Sequence, residues 1–201
     1  MSRLACARCL RPEQCCLCAL IPTLESRTRV LILQHPDETK HALNTARFAR
    51  LGLLNSALLI GEHFPELEGL LQDPAYHSCL LFPGEQAQPL TAELGLHKPL
   101  QLVVPDGTWR KARKLMYVNP VLETLPKVTL AQITPSRYRL RKAPTSESLS
   151  TLEAITQSLN VLEEADFSPL LKPFEALIEG QIQAMGQGVY EHNYAGQKKG
   201  A

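Results

Sequence analysis

Short, nearly continuous apolar runs alternate along the chain with stretches whose apolar residues recur every three or four positions. The first run, Arg29 to Gln34 (RVLILQ), is the pattern of a strand buried on both faces, and it stops at His35-Pro36. Between Lys40 and Leu54, the positions Leu43, Ala46, Arg47, Arg50, Leu51 and Leu54 predict a helix with an apolar stripe. Ala57 to Ile60 reads as a second strand, stopped by Gly61, and Cys79 to Phe82 as a third, ended by the Pro83-Gly84 turn signal. Gln101 to Val104 is a fourth, closed by Pro105-Asp106-Gly107; Thr108 to Met116 reads as helical and Val128 to Ile133 as extended. The next helix declares its start, because Ser150 and Glu153 in S-T-L-E form a capping box ahead of the stripe Leu152, Ile155, Leu159 and Leu162. A last helix, from about Ser168 to Met185, carries Leu170, Leu171, Phe174, Leu177, Ile178 and Ile182, after which the glycine-rich end reads as a frayed tail. Strands alternating with helices predict an α/β fold with a mostly parallel sheet covered by helices.

With 201 residues and 44% apolar content, the chain can build one sizeable core and a small N-terminal lobe. The expected organisation is a cysteine-rich lobe over 1–27, a main domain over 28–186 and a flexible tail over 187–201. The longest apolar runs, such as Leu100 to Pro105, are far too short to cross a bilayer, so no membrane partner is expected. Five of the six cysteines stand in CARCLRPEQCCLC. A C-x-x-C pair followed by C-x-C can wrap four thiolates tetrahedrally around Zn²⁺, which assigns Cys6, Cys9, Cys16 and Cys18 as ligands and leaves Cys15 spare. Four protein ligands leave no position for a reacting water, so the zinc is expected to be structural. Arg3 and Arg8 interrupt the first residues and no apolar secretory core follows, which favours metal over disulfides and a reducing, cytoplasmic setting. Cys79, in an apolar run, is expected in the core.

The net charge of +1 conceals a strong asymmetry. Between Arg110 and Lys142 stand nine basic residues (Arg110, Lys111, Arg113, Lys114, Lys127, Arg137, Arg139, Arg141 and Lys142) against one acid, Glu123. From Ala143 to Glu179, seven acids face Lys172 alone. A packed block of positive charge is either a solvated face or the footprint of a polyanion, and its concentration in one segment favours a nucleic-acid partner.

Ligands of open α/β sheets gather outside the carboxyl ends of the strands, which singles out His35-Pro36-Asp37-Glu38, Phe82-Pro83-Gly84-Glu85 and Pro105-Asp106-Gly107-Thr108-Trp109. The last contains the only tryptophan and runs into Arg110-Lys111-Ala112-Arg113-Lys114. Alone, Asp106 reads as a helix cap and Trp109 as core. Together at one strand end, a carboxylate, an aromatic plane and a cationic ridge are what single-stranded RNA needs, with bases stacked and phosphates paired. His35 reads as a satisfied structural histidine, and the other histidines show no metal spacing. Asn44 with Thr45 is a hydrogen-bonding candidate, although an isolated helical Asn is more often merely exposed.

Five motifs in one order carry a resemblance: C-x-x-C-x-R-P-x-x-x-C-x-C, QHPDE ahead of Asn44-Thr45, LFPG, DGTWRKARKL, and SRYRLRKAP with SLSTLEA. From Cys6 to about Met185 the chain resembles the DTW-domain proteins. The resemblance implies a tRNA-uridine aminocarboxypropyltransferase, which carries the 3-amino-3-carboxypropyl arm of S-adenosylmethionine to uridine N3, giving acp3U in the variable loop. It also implies a SPOUT-like fold with a C-terminal trefoil knot. No obligate protein partner is implied.

The nucleophile, uridine N3, bears a proton, so a carboxylate placed to accept it would assist transfer, and Asp106 is the candidate base. An ordinary Asp is too acidic for this task, so partial burial beside Trp109 is expected to raise its pKa. By resemblance and strand-end logic, Leu81, Phe82, Pro83 and Gly84 would wrap the donor, with Asp106, Thr108 and Trp109 shaping the same pocket. Ser148, Ser150, Thr151 and Glu153 would meet its ribose or amino acid end, although Ser150 and Glu153 equally serve the capping box. Arg137, Arg139 and Arg141 alternate and would point one way as a phosphate comb, joined by Lys142. Arg11, Arg110, Lys111, Arg113 and Lys114 are expected on the tRNA backbone as well. The rival readings are a SPOUT-like RNA methyltransferase, which uses another carbon of the same donor, and a non-catalytic zinc-ribbon RNA-binding protein.

Overall fold

The computed structural model describes residues 4–140 and 149–194. Arg141, Lys142 and Ser148 therefore lie outside the described residues. Strands β1 (Arg29–Gln34), β2 (Ser56–Ile60), β3 (His77–Leu81), β4 (Gln88–Pro89), β5 (Leu100–Asp106) and β6 (Lys127–Thr129) form one sheet in the order β2-β1-β5-β3-β6-β4. Every neighbouring pair is parallel, which accords with the expected α/β class.

The continuous apolar runs follow from burial on both faces. Val30 and Ile32 of β1, with Leu102 and Val104 of β5, enter a core with α1 (Ala46–Gly52), α4 (Thr151–Glu163) and α5 (Lys172–Met185). The alternate residues Leu31, Leu33 and Val103 pack on the opposite side against Leu67 of α2 (Leu67–Leu71) and Leu115 and Met116 of α3 (Trp109–Val118). The capping box at the head of α4 is complete: Ser150 Oγ accepts from Glu153 N, and Glu153 Oε2 accepts from Ser150 N at 2.8 Å.

Three expectations change. The helix anticipated from Lys40 begins only at Ala46, because Pro36–Lys40 forms a 3₁₀ turn capped by His35, and the following residues are irregular as far as Thr45. The extended run expected to reach Ile133 pairs only over Lys127–Thr129, and a bend follows at Ala131-Gln132. The glycine-rich tail continues as α6 (Gln187–Asn193), where Tyr190 and Tyr194 stack at 6.0 Å. Among the described residues no helix is long and apolar enough to cross a membrane.

The basic and acidic halves of the C-terminal region fold onto one another. Arg137 pairs with Glu175, and Arg139 with Glu179 at 2.7 Å, both acids lying on α5 one turn apart. The cysteine lobe is fastened to the main domain by guanidiniums: Arg11 donates to Ala42 O at 3.0 Å, and Arg47 to Arg8 O at 3.4 Å.

Candidate active site and metal centre

A cavity of about 560 Å³ opens outside the carboxyl ends of β3, β5 and β6, the size range of small-molecule sites. Leu81, Phe82 and Pro83 line one wall, Val104, Pro105 and Gly107 the floor, Val128 to Leu130 the far side, and Leu149, Ser150, Thr151 and Ala154 the roof. Trp109 closes the mouth edge-on to Phe82, with ring centroids 5.5 Å apart and planes at 73°. The walls are thus mostly apolar, with polar groups at strand-end backbone, Thr129 and the start of α4. Gly107 lets β5 turn directly into α3: at its φ of +153° a Cβ would lie 3.0 Å from Lys111 Cβ.

Of the expected donor-site residues, Leu81, Phe82, Pro83, Trp109, Ser150 and Thr151 line this cavity. Gly84 follows just beyond the lining turn, and Thr108 is the N-cap of α3, its Oγ1 accepting from Lys111 N at 3.4 Å. Glu153 turns the other way. It is buried, and its carboxylate accepts from Ser150 N, from Ser136 Oγ at 2.9 Å and from Arg137 N at 2.6 Å, so it clamps the 136–137 segment to α4.

Asp106, the last residue of β5, is 8% exposed. One carboxylate oxygen accepts from the Thr151 hydroxyl and the other from Gln34 Nε2 at 2.7 Å. Burial pushes its pKa up, opposed by these two hydrogen bonds, and nearby Glu38 adds to the rise. The expected rise is therefore present and comes from burial, against the pull of the Gln34 and Thr151 hydrogen bonds, while Trp109 sits 45% exposed against Phe82. Gln34 went unnoticed because it ends an apolar run. Its signal was a lone amide at the end of a strand otherwise made of branched apolar residues; the parallel register sets it opposite Asp106.

A second, smaller cavity of about 290 Å³ is lined by His35, Asp37, Glu62, Arg110, Lys111 and Lys114. Here the two lysines already have partners. Lys111 pairs with Glu38 at 2.8 Å, which raises its pKa, and Lys114 pairs with Glu62 at 2.7 Å. His35 is buried; Nδ1 accepts from Asp37 N, so Nε2 carries the proton and donates to Glu62 at 2.9 Å, the satisfied arrangement expected. Arg110 and Arg113 are exposed and make no ion pair among the described residues. Arg11 binds Cys15 O and Ala42 O, a brace within and beneath the lobe.

The sulfurs of Cys6, Cys9, Cys16 and Cys18 all lie within 4.8 Å of one another, with Cys6–Cys18 at 3.6 Å and Cys9–Cys16 at 3.8 Å. A tetrahedral ion with bonds of ~2.3 Å would set its sulfurs about 3.8 Å apart, so the cluster can hold a metal with little movement. Backbone N–H groups of Cys9 and Arg8 lower the Cys6 pKa to about 6, favouring the thiolate that a metal requires. Cys15 is exposed and outside the cluster.

Residues 3–182 match the family described as DTW domain. The chain is 33% identical over 199 residues to tRNA-uridine aminocarboxypropyltransferase 2 of Drosophila melanogaster, covering 93% of this chain and 77% of the fly protein. It is also 33% identical over 192 residues to the protein of that name in Mus musculus, there covering 89% of this chain but 63% of the mouse protein's length. With tRNA-uridine aminocarboxypropyltransferase A of Arabidopsis thaliana it shares 28% identity over 194 residues, 80% of this chain and 73% of that protein. No solved structure matches.

Proposed function

The chain belongs to the DTW-domain family, and from that premise we propose that it transfers the 3-amino-3-carboxypropyl group of S-adenosylmethionine to N3 of a tRNA uridine. The observation that carries the assignment to this site is Asp106: a buried carboxylate of raised pKa, one residue from the floor of an apolar cavity. The donor is a sulfonium whose amino acid arm leaves with the nucleophile, the other product being methylthioadenosine. Around it, Leu81 to Pro83 and Val128 to Leu130 offer an apolar slot for a purine, and Trp109 and Phe82 present ring surface at the mouth. Thr151 and Gln34 hold the Asp106 carboxylate, which takes the N3 proton as the nitrogen attacks. Carboxylate orientation and exclusion of water are what this chain supplies. The SPOUT-like fold with its C-terminal knot rests on the family resemblance; the all-parallel sheet agrees with its α/β class.

The tRNA is met by the exposed guanidiniums of Arg110 and Arg113 beside the cavity, and by Arg137 and Arg139 once phosphate displaces their α5 acids, since half-exposed ion pairs are weak. Lys111 and Lys114 contribute field through acid-paired ends. The four-cysteine centre holds structural zinc. The reaction takes place in the cytoplasm.

Purified protein incubated with unmodified tRNA and the donor is expected to yield acp3U by nucleoside mass spectrometry and an equal amount of methylthioadenosine. S-adenosylhomocysteine with methyluridine as products would establish the methyltransferase reading instead. Absence of any product, with tRNA still bound, would favour a non-catalytic role.

A further inference from the structure

The loop between the 3₁₀ turn at Pro36–Lys40 and α1 owes little of its position to itself. Its backbone bonds are short-range, with Asn44 N donating to His41 O at 3.0 Å and Leu43 N to His41 Nδ1 at 3.3 Å. Leu43 packs on the core and Thr45 is buried; the loop's remaining fixed points come from the metal lobe. Arg11, inside the cysteine motif, holds Ala42 O at 3.0 Å while its Nε holds Cys15 O at 3.0 Å. Arg47, whose backbone N–H donates to Asn44 Oδ1 at 3.4 Å, reaches back to Arg8 O.

From this loop the contacts run inward. Asn44 Oδ1 accepts from Gln34 Nε2 at 3.1 Å, and the same nitrogen donates to Asp106 Oδ2 at 2.7 Å. A primary amide has two N–H donors, and here both are committed to oxygens. Turning the Gln34 amide over would set its own oxygen against Asn44 Oδ1 and the Asp106 carboxylate at once. Asn44 thus joins Asp106 in selecting which end of the buried Gln34 amide faces the carboxylate, and holds the amide in plane between the two acceptors.

We propose that Gln34 and Asn44 are positioning residues through which the docked metal lobe fixes the orientation of the Asp106 carboxylate. The proposal rests on the reading above that Asp106 acts at the reacting nitrogen. Metal binding by the lobe then does more than stabilise it: the ion keeps Arg8 and Arg11 where they brace the loop, and the loop keeps the amide turned toward the carboxylate. The groups that act electrostatically on Asp106 are Glu38, in the 3₁₀ turn, and His41, at the start of the loop, with Glu38 in turn paired to Lys111.

Three comparisons test it. In Gln34→Leu and Asn44→Leu, kcat should fall on the order of 10- to 100-fold, as for lost outer partners of a functional group. Donor affinity by calorimetry and KM for tRNA should hold, and the acid limb of the kcat–pH profile should move to higher pH, because the carboxylate has lost a donor. Asn44→Asp, which keeps an oxygen facing the amide, should recover most of the kcat lost in Asn44→Leu at pH above the acid limb, which the added negative charge moves upward. Finally, amide hydrogen exchange across residues 41–47 should quicken both in chelator-treated protein and in Arg11→Met with its metal content intact. Unchanged exchange in both, or a wild-type kcat and pH profile in Gln34→Leu, overturns the proposal. A fully active Asp106→Asn would instead sink the role given to Asp106, and the exchange measurement would still report whether lobe and loop are coupled.

Discussion

The Thr151 hydroxyl donates to the Asp106 carboxylate across 45 residues of sequence, joining the first turn of α4 to the end of β5. The contact brings the capped helix start onto the strand end where the cavity opens, and it holds a carboxylate that burial alone would drive toward its neutral form. Asp106→Asn preserves this geometry, since the Asn oxygen can accept from Gln34 while its amide donates to Thr151 Oγ1. The expected outcome is a loss of kcat on the order of 10²- to 10⁴-fold with donor binding retained, measured by single-turnover acp3U formation and calorimetry.

The same substitution should not weaken the fold at neutral pH. A carboxyl whose folded pKa lies above its unfolded value binds more protons when native, so between those two values stability falls as pH rises, and the deficit persists above both. Removing the charge removes the deficit. Urea unfolding of Asp106→Asn at neutral pH should therefore give a midpoint equal to or above that of the unsubstituted protein. At pH below the ordinary Asp range the two should converge.

Burial of Asp106 also sets the direction of the activity profile. Proton acceptance needs the ionised form, so kcat should decline toward acid pH through an apparent pKa above that of an ordinary aspartate. Thr151→Val deletes one of the two hydrogen bonds that favour ionisation and should move this limb further upward. A limb that stays put in Thr151→Val would show that the titrating group is not Asp106.

Local chemistry was the legible part of this molecule. The Ser150–Glu153 capping box and the cluster of four cysteines depend on residues a few positions apart, and both stand where spacing placed them, whereas the turn expected at Pro83-Gly84 comes two residues later, at Glu85-Gln86. The double-sided burial of β1 was equally visible in RVLILQ. What spacing could not show were contacts closed by the fold. Arg137 and Arg139 do point one way, as their alternation implied, but they point at Glu175 and Glu179, 38 and 40 positions on. Asp106 is expected to depend on its sequence neighbour Trp109, whereas its carboxylate is held by Gln34 through strand register, 72 residues away. Glu153 carried two expected roles, a cap and a ligand; its remaining lone pairs go to Ser136 and Arg137, a clamp that no local pattern announces.

That clamp makes Glu153 costly to remove. Glu153→Ala would leave the buried N–H of Ser150 and the half-buried Arg137 N–H and Ser136 hydroxyl without their acceptor. A loss of about 2–4 kcal/mol in unfolding free energy is expected from the cap and the unsatisfied donors combined. Glu153→Gln keeps one oxygen and should lose less. Urea denaturation of the two variants measures the difference, and equal losses would mean that the carboxylate's charge, not its acceptor geometry, matters there.

The basic residues separate by their partners. Arg113 is exposed and unpaired among the described residues, so Arg113→Ala should weaken tRNA binding and reduce the slope of log K against log salt concentration by about one unit. Lys111 is held by Glu38 and Asp37, and its truncation frees acids as it removes a cation. Lys111→Ala should therefore change the salt slope less than Arg113→Ala does. Fluorescence of Trp109, the only tryptophan, offers the titration signal at the cavity mouth. Equal slopes in the two variants would show that RNA displaces the Lys111 pairs on binding.

Metal content tests the lobe against its one spare thiol. Cys16→Ser should abolish stoichiometric zinc, whereas Cys15→Ser, altering an exposed sulfur outside the four-cysteine cluster, should retain one ion per chain. Because thiols must lose protons to bind, zinc affinity should fall as pH is lowered, and loading should release protons measurable in weak buffer. The parallel sheet has its own two-faced core, so loss of zinc should leave the bulk of the circular dichroism signal and the main unfolding transition in place. The lobe has almost no core: of its cysteines only Cys9 is buried. Without the ion nothing comparable replaces the four bonds, and limited proteolysis should cut chelated protein first between Cys6 and Cys18, at sites protected in the loaded form.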